Sequence, residues 1–210
     1  MIVIINPNST ASMTEAMIET ALKVVSDANI VGWTSTKGPP AIQGETDGDA
    51  AVPPLLELVK KADEAGAKVI IIGCFDDTGL ELARQTASCP VIGIGQAAYH
   101  LAALYGPRFS VVTTLEVSVG ILAENIKNYG LDAHLARVRA SGVPVLALEN
   151  ERKKATQQVK AEIEMAIGQD GISSVVLGCA GMGYIVEDGA DFPVKLIDGV
   201  RAAVQIATLL

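Results

Sequence analysis

The sequence predicts an α/β fold built from two similar, mostly parallel halves related by a pseudo-twofold axis, with the site in the cleft between them. Three observations carry this. Continuous aliphatic runs of four to six residues alternate with longer amphipathic stretches along the whole chain. Residues 69–98 and 175–203 echo each other, each reading as an apolar strand, a Gly-Cys pair, a Gly-containing turn and a second Pro-Val strand. The two cysteines of that echo, Cys74 and Cys179, stand 105 residues apart in a chain of 210. Such self-similarity is most economically explained by two related structural units.

Taken in order, the runs 2–5, 69–72, 91–94, 109–112 and 174–177 read as strands. They are continuously apolar rather than alternating, which marks strands covered on both faces. Less apolar stretches at 29–34 and 134–139 complete the set. Helical patterns span 9–26, 49–65, 79–87, 96–105, 116–129, 151–168 and 198–209, the first opening on a capping box made by Ser12 and Glu15. Strand-helix-strand repetition implies parallel pairing with right-handed crossovers. The Gly/Pro-rich stretch 35–48 is too long for a simple turn and is expected to act as a lid. The halves are placed at residues 1–98 with 198–210, and at 99–197.

Composition excludes several functional classes. Half of the residues are hydrophobic, enough to bury a full core and to exclude disorder. The net charge of −8 repels phosphate backbones and anionic membranes, so no nucleic acid and no membrane partner is expected. Four consecutive apolar residues after Met1 do not make a signal peptide, and no run reaches the ~20 residues needed to cross a bilayer. Three cysteines without close spacing argue against both a disulfide framework and a metal cluster. A cytoplasmic protein with free thiols is expected, and an acidic, aliphatic-rich chain of this kind is expected to assemble as a homo-oligomer.

A single cysteine ending an apolar strand is ordinarily a small hydrophobe, the reading kept for Cys89. A matched pair at the carboxyl ends of strands is different, because open α/β sheets place their ligands there. Facing halves bring Cys74 and Cys179 to opposite walls of one cleft. Inverting a carbon acid needs a base on one face and an acid on the other, roles a thiolate and a thiol exchange. Turn amides lower a thiol pKa and hold a developing enolate oxygen. Phe75, Asp76 and Asp77 after the first cysteine, and Ala180 and Gly181 after the second, are therefore expected at the site.

The segments INPNST at 5–10, GPPAIQG at 38–44, GCFDDTGL at 73–80, PVIGIGQAAYH at 90–100 and VLGCAGM at 176–182 resemble the aspartate/glutamate/hydantoin racemase superfamily, and within it the hydantoin and allantoin racemases. The resemblance covers nearly the whole chain. It implies a pseudo-twofold α/β fold, no cofactor and a two-cysteine racemisation, with Cys74 and Cys179 as the catalytic pair. The family pattern GCFGDPGL is altered here: Asp76 replaces a glycine and Thr78 a proline, and Gln96 replaces a glutamate. A carboxylate two residues from the first thiol is expected to raise its pKa, to bind ureide N–H groups or to alter substrate choice.

The superfamily's glutamate racemases carry an acidic residue in the loop after the first strand, suited to an ammonium group. Here that loop is Asn6, Pro7, Asn8, Ser9 and Thr10, without a carboxylate. This favours a neutral ring, a small-molecule cyclic ureide, which Asn8, Ser9, Thr113 and Thr114 can meet with amide and hydroxyl groups; capping and turn formation are the alternative roles for these residues. Ile42, in the lid, faces a 5-substituent or pins the loop. The expected activity is cofactor-independent racemisation of 5-substituted hydantoins or allantoin. Aspartate/glutamate racemisation, maleate isomerisation and a non-enzymatic binding module are the alternatives. A dinucleotide fingerprint at Gly93, Gly95 and Ala98 with Glu116, and a metal site from the two cysteines with His100 and His134, are weaker competitors.

Overall fold

The computed structural model describes residues 1–187 and 191–210; residues 188–190, within the predicted second half, lie outside the described residues. The first half runs β1 (Ile2–Asn6), α1 (Ala11–Val24), β2 (Ile30–Thr34), α2 (Glu45–Glu64), β3 (Val69–Ile72), α3 (Leu80–Thr86), β4 (Val91–Gly93) and α4 (Ile94–Tyr105). The second repeats the rhythm with β5 (Phe109–Thr113), α5 (Val117–Asn128), β6 (Leu135–Ala140), α6 (Ala147–Asn150), α7 (Arg152–Gln169), β7 (Ser174–Gly178), α8 (Tyr184–Glu187), β8 (Lys195–Asp198) and α9 (Gly199–Ala207). Two four-stranded sheets result, ordered β2-β1-β3-β4 and β6-β5-β7-β8, and every pairing is parallel. The central strands β1, β3, β5 and β7 are the continuous apolar runs and are buried throughout. The weaker runs are β2 and β6, edge strands that are partly exposed.

Both sheets share one core. Its side chains come from β1 and β3 on one side, from β5, β7 and β8 on the other, and from α1, α4, α5 and α9 between them. The outer face of the first sheet packs on α2 and α3, and that of the second on α7. The last helix of each half reaches across: α4 packs on β7 and β8, while α9 packs on α1, β3 and β4. The central strands β1, β3, β5 and β7 all end at one place between the sheets, where the site lies.

Two local expectations fail for tertiary reasons. The Ser12–Glu15 capping box is not formed: α1 begins at Ala11 after Thr10, and the Ser12 hydroxyl instead donates to Glu149 Oε2 at 2.9 Å in the other half. The loop 35–48 is shorter than expected, because α2 begins at Glu45, with Asp47 accepting the Gln43 N–H at 3.0 Å. Glu45 and Asp47 favour the helix N-terminus electrostatically, although Pro53 and Pro54 inside it remove two donors.

Candidate active site

Cys74 follows β3 and Gly73; Cys179 follows β7 and Gly178. The glycines are required by the packing of the strand ends. A Cβ on Gly73 would lie 2.7 Å from Met17 Sδ and 3.2 Å from Ile5 O. One on Gly178 would lie 2.9 Å from Thr113 Cβ and 3.0 Å from Val112 O. In each half, then, the glycine lets the cysteine strand close against its central neighbour, and the thiol emerges just beyond.

Both thiols line one small cavity of about 40 Å³. Asn6, Asn8, Ile42, Phe75, Asp76, Thr114, Ala180 and Gly181 also contribute to its walls. Of the residues expected at the site, these include all but Ser9, Asp77 and Thr113. The Thr113 hydroxyl donates to Gly178 O at 3.0 Å and ties β5 to β7. Ser9 supports the loop after β2, its N–H donating to Pro39 O at 2.9 Å. Asp77 is buried and turned away: its carboxylate accepts from the N–H groups of Gly95 (3.0 Å) and Gln96 (2.7 Å) and from the Tyr129 hydroxyl (2.9 Å). Its own N–H donates to Cys74 O at 3.1 Å and so is not available to an enolate.

Asn6, Met13, Ser118 and Val145 line the cavity without having been singled out from the sequence. Asn6 is fully buried and donates to Asn8 Oδ1 at 2.9 Å and Thr14 Oγ1 at 3.1 Å, while accepting from the Asn8 N–H at 3.1 Å. This network stiffens the loop between β1 and α1. The recurrence of amide residues in INPN was its available signal. Val145 carries none, since its place depends on a contact between halves: its N–H donates to Gln43 Oε1 at 3.0 Å. Through that bond the loops after β2 and β6, which occupy matched positions in the two halves, meet over the cavity, with Met13, Ala41 and Val145 packed beside Cys179.

Burial dominates the electrostatics. It pushes the Cys74 thiol far above its ordinary range, and the Asp76 carboxylate adds to the effect, while the Thr78 hydroxyl, 3.3 Å from the sulfur, and the Asp76 N–H act against it. Cys179 is pushed up to about 12, again by burial first, with the Gly181 N–H opposing and Asp76 reinforcing. Each thiol thus has a backbone N–H two residues on that favours its ionised form, and Asp76 raises both. Burial lifts Asp76 itself to about 6 and Asp77 to about 7.

The glycines of the dinucleotide-like stretch have another use. A Cβ on Gly93 would overlap the Asp77 carboxylate, and one on Gly95 would overlap Phe75 O. Asp77 occupies the N-terminus of α4, where a pyrophosphate would have to sit. His100 is exposed and His134 half-buried, and they bond to the carbonyls of Gln96 and Pro107. Among the described residues no group of three or more His, Cys, Asp or Glu side chains is arranged to hold a metal ion. Cys89 lies outside the cavity, with its N–H 3.3 Å from Asp63 Oδ1. No helix among the described residues is long and apolar enough to cross a membrane.

Comparison with known proteins agrees with this architecture. The chain is 42% identical over 211 residues to a hydantoin racemase of Rhizobium meliloti, covering 99% of this chain and 87% of that one. Its structure superposes on an allantoin racemase from Klebsiella pneumoniae with a TM-score of 0.94 and 35% identity, covering 100% of this chain and 86% of that one. A Francisella tularensis glutamate racemase shares the fold, with a TM-score of 0.71 and 16% identity over 100% of this chain and 80% of that one. The profile described as Asp/Glu/Hydantoin racemase matches residues 2–207, and the chain belongs to that family.

Proposed function

We propose that this protein is a cofactor-independent racemase of hydantoin-type cyclic ureides, 5-substituted hydantoins or allantoin. The observation that carries the reading is the pair of Gly-Cys turns at matched strand ends, both opening on one cavity. One cysteine as thiolate removes the C5 proton, leaving an enolate conjugated with the ring carbonyl. The other, as thiol, returns a proton to the opposite face. The product is the other enantiomer, and the thiolate and thiol have exchanged places.

Asn8, Thr114 and Ser118 are the polar groups assigned to the ring carbonyls and N–H groups, and Ile42 with Val145 closes the cavity above them. The relatives named hydantoin racemase and allantoin racemase support the substrate class. So does the loop after β1, which meets the cavity with asparagines rather than a carboxylate. The thiols require a reducing compartment, consistent with a cytoplasmic location. Exposed apolar side chains such as Leu104 and Leu209 favour assembly of several copies. Assigning the exchanged helices α4 and α9 to the half that receives them rather than to the one that precedes them in the chain, we divide the protein at residues 1–98 with 198–210 and 99–197.

Incubation in D2O with L-5-substituted hydantoins, allantoin, L-aspartate and L-glutamate tests the reading, with α-deuteration and optical rotation followed together. Exchange and loss of rotation are expected with the ureides. Cys74→Ser and Cys179→Ser should each abolish racemisation. Absence of exchange with every compound would overturn the racemase; exchange confined to the amino acids would overturn the substrate class.

A further inference from the structure

We propose that Asp76 is a specificity-determining residue: its carboxylate accepts N–H groups carried by the substituent on C5, so the preferred substrates are cyclic ureides whose side arm bears ureido, guanidino or similar donors. The proposal rests on the racemase reading above and narrows its substrate.

The backbone of Asp76 is anchored within its turn. Its carbonyl is held by Asn125 Nδ2 at 2.8 Å and its N–H serves the Cys74 sulfur, so the backbone is fixed from both sides. The side chain lines the catalytic cavity together with Cys74, Thr114 and Ala180. It also lines an outer cleft bordered by Gly44, Val117 and Asn125. A substituent leaving the cavity in that direction passes the carboxylate.

No hydrogen bond or ion pair among the described residues takes up that carboxylate. The contrast with its neighbour is direct, since Asp77 has three donors. Asp76 is partly exposed on the cavity wall, so its carboxylate is open to a ligand that enters the cavity and carries N–H donors. Among the described residues neither the cavity nor the outer cleft is lined by Lys or Arg, so none of them supplies a counter-charge there. The two parallel N–H groups of a urea or guanidinium match the two oxygens of a carboxylate. An alkyl arm would strip water from the carboxylate and return nothing.

The test compares four hydantoins of similar arm length, 5-(3-ureidopropyl), 5-(3-guanidinopropyl), 5-hexyl and 5-(4-carboxybutyl), on wild type, Asp76→Gly and Asp76→Asn. In the wild type kcat/KM is expected to favour the N–H arms over hexyl by about tenfold or more, because a site that accepts hydrogen bonds rejects analogues lacking donors. The carboxylate arm should be poorest. Asp76→Gly should bring the ratio near one, with Asp76→Asn between. Any change in thiol acidity moves all four substrates together and cancels in the ratio. A wild-type preference for hexyl, or a ratio that survives Asp76→Gly, would overturn the proposal while leaving racemisation intact. Should the variants misfold, the wild-type ranking alone decides. Failure of deuterium exchange with all four compounds would instead strike at the racemase reading.

Discussion

The Thr78 hydroxyl lies 3.3 Å from the Cys74 sulfur, and it stands where the family pattern places a proline. The companion departure, Asp76, acts on the same thiol in the opposite sense. A carboxylate introduced beside a catalytic sulfur makes its ionisation harder, and a hydroxyl four residues beyond it returns part of the loss. The two substitutions are coupled through one atom.

Thr78→Val removes that hydroxyl while keeping the side chain's shape. Hydrogen bonds to charged groups contribute about 1.5–3 kcal/mol, so the Cys74 pKa should rise by about one unit or more. The alkylation rate with iodoacetamide at a fixed pH of about 8, in a background with Cys89 and Cys179 replaced by serine, follows the thiolate fraction and should fall about tenfold. An unchanged rate would remove Thr78 from the account.

Asp76→Asn tests the cost of the unpartnered carboxylate. Its folded pKa, about 6, stands above the ordinary carboxylate value of 3.8. The folded protein therefore takes up a proton more readily than the unfolded chain, and stability falls as pH rises through about 6. The variant has no such proton to lose. Its melting temperature should exceed that of the wild type at pH 8, by a difference worth about 1–3 kcal/mol, and the gain should shrink toward pH 5. A gain independent of pH would contradict this origin.

Gly178→Ala and Gly73→Ala separate rigid from yielding neighbours. At Gly178 the added carbon meets Thr113 Cβ and backbone atoms of β5. At Gly73 its nearest contacts belong to the flexible end of Met17. Overpacking of the first kind should cost about 1–3 kcal/mol, and the second less. Urea unfolding of both variants gives the comparison; equal costs would show that the strand ends are equally stiff.

Much of the fold was legible because its central strands are buried on both faces and so announce themselves as unbroken apolar runs. β8 was visible only through the echo, since Lys195–Asp198 is a short edge strand with an exposed lysine. The cysteines were legible through their glycines, which the strand ends demand. Asp77 was misplaced because its sequence position, three after Cys74, is equally compatible with facing the cavity or the helix. Only the backbone decides: at φ 50° the residue turns its carboxylate onto the N-terminus of α4. Ser12 failed similarly, since its partner Glu149 lies 137 positions away. Local patterns do not encode which of two satisfactory partners is nearer in space.

The crossing of α4 and α9 gives the chain a particular kind of unity. Each half donates its last helix to the apolar bed of the other, as two partners might exchange arms. A fragment ending after Tyr105 would carry a helix with no sheet to receive it and a sheet missing the helix it is owed. The covalent link between the halves thus does the work that association would do in a pair of short chains. It also makes the two cysteines hard to uncouple mechanically: a rigid rotation that parted Cys74 from Cys179 would have to drag both exchanged helices through the common core.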